Sequence, residues 1–398
     1  MRAGRCGVMA GGAVVRTLPT ILTILTVFAS AQGRQPSFQG LGDLPGWPYE
    51  SKATAISADG TVVVGYSSSD RGEEAFRWTE AEGMVTLTPG GGPLPNGWDS
   101  ITPKGVSYDG AMITGDSRRH DDASPSGNVF QPFRWTAGEG IAALPGMPDG
   151  SHAYDLSADG SVVVGVVYPG VALRWTAETG AVDLGDPDGY TSSLATAVSG
   201  DGLTVAGMSG GDAEEGWRWT AEGGFEGVGN LRGEGFHSGA TGISADGTTL
   251  VGFSNVAAPD GSTDDTEAFR WTAGGGMTGL GDLPGGWYFS IASNASGDGS
   301  VIVGWSRSER GMEAFIWDEI HGMRALRDVL LDDYGIDTTA WQDTYATGVS
   351  ADGTVVVGYG DNPNGDVEAW VAVIPEPGAL LFLASGMPLL TLRRSRVR

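Results

Sequence analysis

Ser244-Ala245-Asp246-Gly247-Thr248-Thr249-Leu250-Val251-Gly252, followed after a longer loop by Glu267-Ala268-Phe269-Arg270-Trp271-Thr272-Ala273-Gly274-Gly275-Gly276-Met277, carries the pattern that decides the fold. A strand approaching Ile243-Ser244 is turned by Ala245-Asp246-Gly247, because glycine takes the left-handed position of a tight hairpin without steric cost. Thr248 to Phe253 reads as a second strand, rich in β-branched residues. In Glu267 to Thr272 the two-residue period puts Phe269 and Trp271 on one face, which predicts a third strand. Ala273 to Gly276 turns again, and a fourth strand is expected around Met277 to Gly281.

The unit recurs. Ser-x-Asp-Gly begins at Ser57, Ser107, Ser157, Ser199, Ser244, Ser296 and Ser350, about 49 residues apart on average. Each copy runs into a glycine (Gly65, Gly115, Gly165, Gly207, Gly252, Gly304, Gly358) and later a tryptophan (Trp78, Trp135, Trp175, Trp219, Trp271, Trp317, Trp370). Four antiparallel strands in a unit of roughly 40–50 residues mark a propeller blade. Val62-Val63-Val64 and Val355-Val356-Val357 are apolar at successive positions, as a sheet covered on both faces requires. A parallel β-helix would need a shorter, more even coil. The prediction is an all-β chain, a seven-bladed β-propeller of four-stranded antiparallel blades over 32–373. Gly40-Leu41-Gly42-Asp43-Leu44-Pro45-Gly46 nearly repeats Gly279 to Gly285, and the last copy stops at its third strand, Glu368 to Ala372. The N-terminal segment is therefore expected to close blade seven as its outer strand, leaving no exposed sheet edge.

The two ends read as sorting signals. Arg2, Arg5 and Arg16 precede the apolar run Leu18 to Phe28, and Ala29-Ser30-Ala31 offers a small-x-small cleavage site, so 1–31 reads as a signal peptide. Cys6, the single cysteine, falls inside it, leaving the exported chain no disulfide. At the other end (374–398), Ile374-Pro375-Glu376-Pro377 precedes an apolar stretch, Gly378 to Leu392, and a cluster of Arg393, Arg394, Arg396 and Arg398. This tail resembles the PEP-CTERM sorting signal. The resemblance implies recognition of Pro375, Glu376 and Pro377 by an exosortase-type sorting enzyme, with the arginines as the stop in the membrane. Fifteen apolar residues fall short of the roughly 20 of a full span, which suits a transient inner-membrane anchor ahead of the cell surface or extracellular space. The body also resembles the HAF-repeat extracellular proteins, with Glu74-Ala75-Phe76, Glu267-Ala268-Phe269 and Glu313-Ala314-Phe315 at the triplet that names them, Glu standing for His.

The formal charge is −26, and the seven arginines of the two ends leave the body more acidic still. Such a body repels phosphate backbones and anionic headgroups, so no nucleic-acid partner is expected. Seven identical Ser-x-Asp-Gly turns are what hairpins need, and one per blade around a rim they do not converge as metal ligands must, so no metal and no cofactor are expected. The histidines His120, His152, His237 and His321 show no nucleophile or zinc spacing. The arginine before each repeat tryptophan could meet the turn aspartate of its blade, but Ile316 and Ala369 break the pattern in units six and seven, which favours a stacking or structural role.

More informative are bulky residues eight to ten positions before each repeat serine: Trp47, Trp98, Met147, Tyr190, Phe236, Trp287 and Trp341. They share a face with the variable loops, where a rigid scaffold usually binds. Two roles compete for them, gap plugs between blades or a platform for a ligand. The expectation is a non-catalytic surface or matrix protein with a ligand face, extracellular polysaccharide being the candidate partner. The alternative is a propeller glycosidase or lyase with carboxylates at the channel mouth.

Overall fold

The structure, a computed structural model, describes residues 34–375 apart from 125, 211–213, 232–236 and 257–264. The signal segment with Ala29 and Ala31, residue Phe236, and Glu376, Pro377, Arg393, Arg394, Arg396 and Arg398 of the tail lie outside the described residues. Among the described residues no helix is long and apolar enough to cross a membrane.

Among the described residues the strands form seven four-stranded antiparallel units, the first six at 51–86, 100–143, 151–183, 192–227, 238–279 and 285–325. Within a unit the strands a, b, c and d follow chain order, as in unit five: Ser238–Ile243, Thr249–Val256, Asp265–Thr272 and Gly276–Gly279. One parallel bridge, Thr266 to Phe289, joins units five and six. Unit seven has a, b and c at Gln342–Val349, Val355–Asp361 and Val367–Val373, and Ser37–Gly40 supplies its outer strand. Gly40 stands opposite Trp370 as Gly279 stands opposite Phe269. The likeness between 40–46 and 279–285 thus reflects equal positions in two units.

That register corrects one expectation. The repeat tryptophans pair with the residue six beyond the turn serine, Trp271 with Leu250 and Trp78 with Val63, whereas in unit seven that partner is Ala372. Trp370 instead sits opposite Gly358 and takes the place of Phe269 and Phe76. The arginine position of unit seven is accordingly Val371, not Ala369. Phe76, Phe133, Trp217, Phe269, Phe315 and Trp370 form the deepest layer of the core, each no more than 1% exposed.

Each Ser-x-Asp-Gly turn is closed twice. In unit five Ser244 Oγ donates to Asp246 Oδ1 (2.6 Å) and accepts the Thr249 N–H (3.0 Å), while the Thr248 N–H bonds Asp246 Oδ1 (3.0 Å). The turn also reaches its neighbours through the backbone. Asp59 N–H bonds Tyr108 O, Tyr108 N–H Ala158 O, Ala158 N–H Gly200 O, Gly200 N–H Ala245 O, Asp246 N–H Gly297 O, Gly297 N–H Ala351 O, and Ala351 N–H returns to Ala58 O, all at 2.8–3.1 Å. Glycine ends each turn for two reasons. Its φ is near +70° in all seven, and a Cβ there would strike the preceding unit, for example Val62 beneath Gly110 or Thr249 beneath Gly299. Since the turns meet, the a strands lie innermost and the d strands outermost.

A second bridge joins the other end of the a strands. Ser51 Oγ donates to Gly42 O (2.6 Å) and accepts the Ala369 N–H (3.0 Å), and Ser193, Ser238 and Ser290 repeat the arrangement between their own and the preceding unit. All four serines are fully buried. After each comes a β-bulge in strand a, and the b-strand glycine opposite it, Gly252 for instance, leaves no room for a Cβ against the Gly239 carbonyl.

Protonation acts on these contacts in opposite senses. The turn carboxylates of Asp109 and Asp159 are held below the usual range chiefly by the backbone N–H two residues on, and that of Asp298 by the Ser300 hydroxyl. Their contribution is present at neutral pH and is lost on acidification. Asp155 is the reverse case. It accepts the Leu156 N–H (2.8 Å) and, across the unit boundary, the Val198 N–H (2.9 Å), yet burial of its carboxyl group pushes its pKa up to about 7.

Two outcomes are expected. Ser244→Ala strands the Thr249 N–H and the turn aspartate, and should lower urea stability by about 1–3 kcal/mol, where an unchanged midpoint would show that the turn needs no hydroxyl. The folded chain keeps the Asp155 proton to about pH 7 while an unfolded aspartate loses it near 4, so stability from this site is complete in acid and falls as pH rises through that window. Relative to Asp155→Asn, the wild type should lose no more than about 4 kcal/mol between pH 4 and 8. Parallel pH profiles for the two proteins would contradict it.

Candidate functional site

Antiparallel connection sends the Ser-x-Asp-Gly turns and c–d hairpins to one face and the b–c and d–a connections to the other. On the turn face the Ser and Asp side chains of the turns bond within their own turn. The arginines do not meet the turn aspartates of their units: Arg77 pairs with Glu82 (2.8 Å), Arg134 with Glu139 (2.7 Å), and Arg174 donates to the Gly202 carbonyl of the next unit (3.1 Å). Among the described residues no group of three or more His, Cys, Asp and Glu side chains is placed to hold a metal ion.

On the loop face the bulky d–a residues divide. Trp47 and Trp287 stand in solvent, 84% and 76% exposed, with the Arg307 guanidinium 4.8 Å from the Trp287 ring. Trp98 is buried between units one and two, Met147 between two and three, and Trp341 packs edge-on against Phe38 at 5.2 Å. Tyr190 is half-buried and donates to Glu215 Oε2 (2.7 Å). The sequence cannot separate these, because their positions match while their loops differ in length.

The glutamate of the Glu-Ala-Phe triplet at 267, and the glutamates at the equivalent place in units seven and four, have a task that the sequence did not disclose. Glu368 Oε1 accepts the Gly42 N–H (2.9 Å), Glu267 the Gly281 N–H (2.8 Å) and Glu215 the Gly229 N–H (3.0 Å), fastening these three d–a loops to strand c. Burial, with Glu267 adding to it, pushes Asp282 up to about 6, and burial with Glu368 lifts Asp43. The phenols of Tyr288 and Tyr49 are raised by burial beside the same glutamates. An acid pair present in two equivalent copies belongs to the repeat and its loop closure.

Deeper on this face lies one level where the units cease to resemble one another. Five positions before each turn serine, with the b-strand residue opposite, stand Lys52/Tyr66, Thr102/Asp116, His152/Val166, Leu194/Met208, Gly239/Phe253, Ile291/Trp305 and Tyr345/Tyr359. From unit six to unit one these rings touch in series. Phe289 meets Trp305 at 5.1 Å, Trp305 meets Tyr345 at 5.4 Å, Tyr345 stacks on Tyr359 at 5.0 Å, and Lys52 Nζ lies 5.5 Å from the Tyr359 ring and 5.8 Å from Tyr66. In unit three His152 Nδ1 is 2.9 Å from Asp116 Oδ2, and its ring lies 4.6 Å from Phe130 and 5.1 Å from Tyr168.

No protein-family model matches the chain, and no curated protein matches it. Among solved structures, an oligogalacturonate lyase in complex with manganese is similar at a TM-score of 0.52 and 14% identity, over 86% of this chain and 98% of that one. TolB from Acinetobacter baumannii is similar at a TM-score of 0.41 and 13% identity, over 80% and 82%. The first likeness is one of fold: the four-stranded units are assembled as a β-propeller.

Proposed function

We propose that the chain is a closed, seven-bladed propeller exported to the cell surface or matrix, where its loop face binds an extracellular polysaccharide without chemical conversion. The seven turn-to-turn hydrogen bonds, with Ala351 returning to Ala58, support the blade number and the closure. The sorting route rests on the sequence of the two ends: cleavage after Ala29-Ser30-Ala31, and an exosortase-type enzyme acting at Pro375-Glu376-Pro377 with the arginines as the membrane stop. The observation that carries the binding role is the segregation of rings. Trp47, Trp287 and the inner belt open on one face, and self-satisfied Ser and Asp turns fill the other. Flat rings stack on the apolar faces of sugars, whereas small turns whose hydrogen bonds are already made offer little.

A second reading, a lyase or glycosidase, is favoured by the His152–Asp116 contact alone. A carboxylate that orients an imidazole leaves the other ring nitrogen for proton transfer. The manganese named with the lyase neighbour finds no matching donor cluster among the described residues, so no step is assigned to a metal here.

The full chain screened against a glycan array should retain at least one polysaccharide, with the glycan recovered intact. Absence of any binding would end the proposal, and release of unsaturated or shortened products, lost in His152→Ala, would move it to the enzyme. Trp47→Ala and Trp287→Ala should cost less than about 1 kcal/mol of stability and weaken binding, whereas Trp98→Ala should cost about 3–5 kcal/mol by opening the boundary between units one and two. Early unfolding of the Trp47 and Trp287 variants would make those rings structural as well.

A further inference from the structure

Resting on that reading, we infer that the seat of binding is the inner belt of units six, seven and one, formed by Trp305, Tyr345, Tyr359, Tyr66 and Lys52, and that it takes a neutral pyranose unit of a glycan chain. The internal repeats isolate the feature. At the positions on either side of this level most units agree: serine in five of the seven on one side (Ser51, Ser151, Ser193, Ser238 and Ser290, against Ile101 and Thr344) and alanine in six of the seven on the other (Pro103 in unit two being the exception), with these serines and alanines fully buried. At the level itself no two units carry the same pair of side chains, and nearly all of those side chains are half-buried. A scaffold that needed only packing there would have repeated one solution in most units, as it does at the neighbouring positions.

The chemistry of the belt narrows the occupant. The rings supply a series of π faces, and the phenols of Tyr66, Tyr345 and Tyr359, whose deprotonation burial opposes, remain neutral hydroxyls. Faces for C–H groups beside hydroxyl partners match a sugar ring, whose two sides are apolar and whose rim is hydroxyl. Lys52 lies over two of those rings and is paired with Glu50 at 3.1 Å, and the nearby Arg307 guanidinium lies against the Trp287 ring, so within the belt itself the one cation is already paired. The chain as a whole carries −26, which disfavours an anionic glycan further.

The test is calorimetric titration of the folded full chain with neutral hexasaccharides of glucose and mannose, and with an oligogalacturonate hexamer, at low salt. One neutral hexasaccharide should bind, and the acidic one should bind at least roughly tenfold more weakly. Tyr345→Ala and Trp305→Ala should each weaken binding by roughly tenfold or more. Tyr345→Phe and Tyr359→Phe keep the rings and the fold, and should weaken it by a smaller factor, so the result does not hang on variants that unfold. Leu203→Ala, on the exposed turn face, should leave binding unchanged. Undiminished binding in all four belt variants, with loss in Trp47→Ala or Trp287→Ala, would overturn the belt and leave the loop face as the site. Preference for the acidic hexamer would overturn the neutral class, and silence toward every glycan would remove both inferences together.

Discussion

The turn-to-turn hydrogen bond between neighbouring units is the contact on which the rest of the structure depends. A four-stranded sheet cannot cover both of its own faces, and the apolar runs of strand b, such as Val355-Val356-Val357, demand cover on both. Neighbouring units provide it only if they meet in a fixed register. The register is set at the inner end by the turn amide reaching the next turn's carbonyl, and toward the loops by serines such as Ser51 and Ser290 spanning two units. Glycine is required in the turn because the same close approach leaves no room for a side chain.

The architecture was largely legible because it is written seven times. Periodicity gave the strand order, and the partial last unit together with the likeness of 40–46 to 279–285 gave the outer strand. Register within a strand was less legible. Trp370 looked like the repeat tryptophan because unit seven puts indole at the phenylalanine position and alanine at the tryptophan position, and only pairing with Gly358 separates the two. The glutamate of Glu-Ala-Phe shows in the sequence as part of its triplet, whereas the serines ahead of the bulge do not stand out there. Their tasks involve partners in other loops, for which adjacency in sequence offers no clue.

The site was legible only as a face. Position relative to the turn serine grouped Trp47, Trp98, Trp287 and Trp341 together, yet loop length sends two into solvent and wedges the others into boundaries. The inner belt carries the opposite signal: divergence at one level amid repetition on both sides. Burial also sorts the charged groups. Turn aspartates are stabilised as anions by local N–H and hydroxyl donors, while Asp155 and Asp282, more deeply placed, are pushed toward their neutral forms.

A closed ring and an open array of stacked units differ most sharply in how the turn amides are protected, because an open array frays from its ends while a ring has none. Native-state hydrogen exchange of the Tyr108, Ala158, Gly200, Gly297 and Ala351 amides measures this directly. Closure requires all five to exchange with the free energy of global unfolding, Ala351 included, since its acceptor is Ala58 at the other end of the chain. Protection that declines toward Ala351, or fast exchange there, would mean that units seven and one do not hold each other.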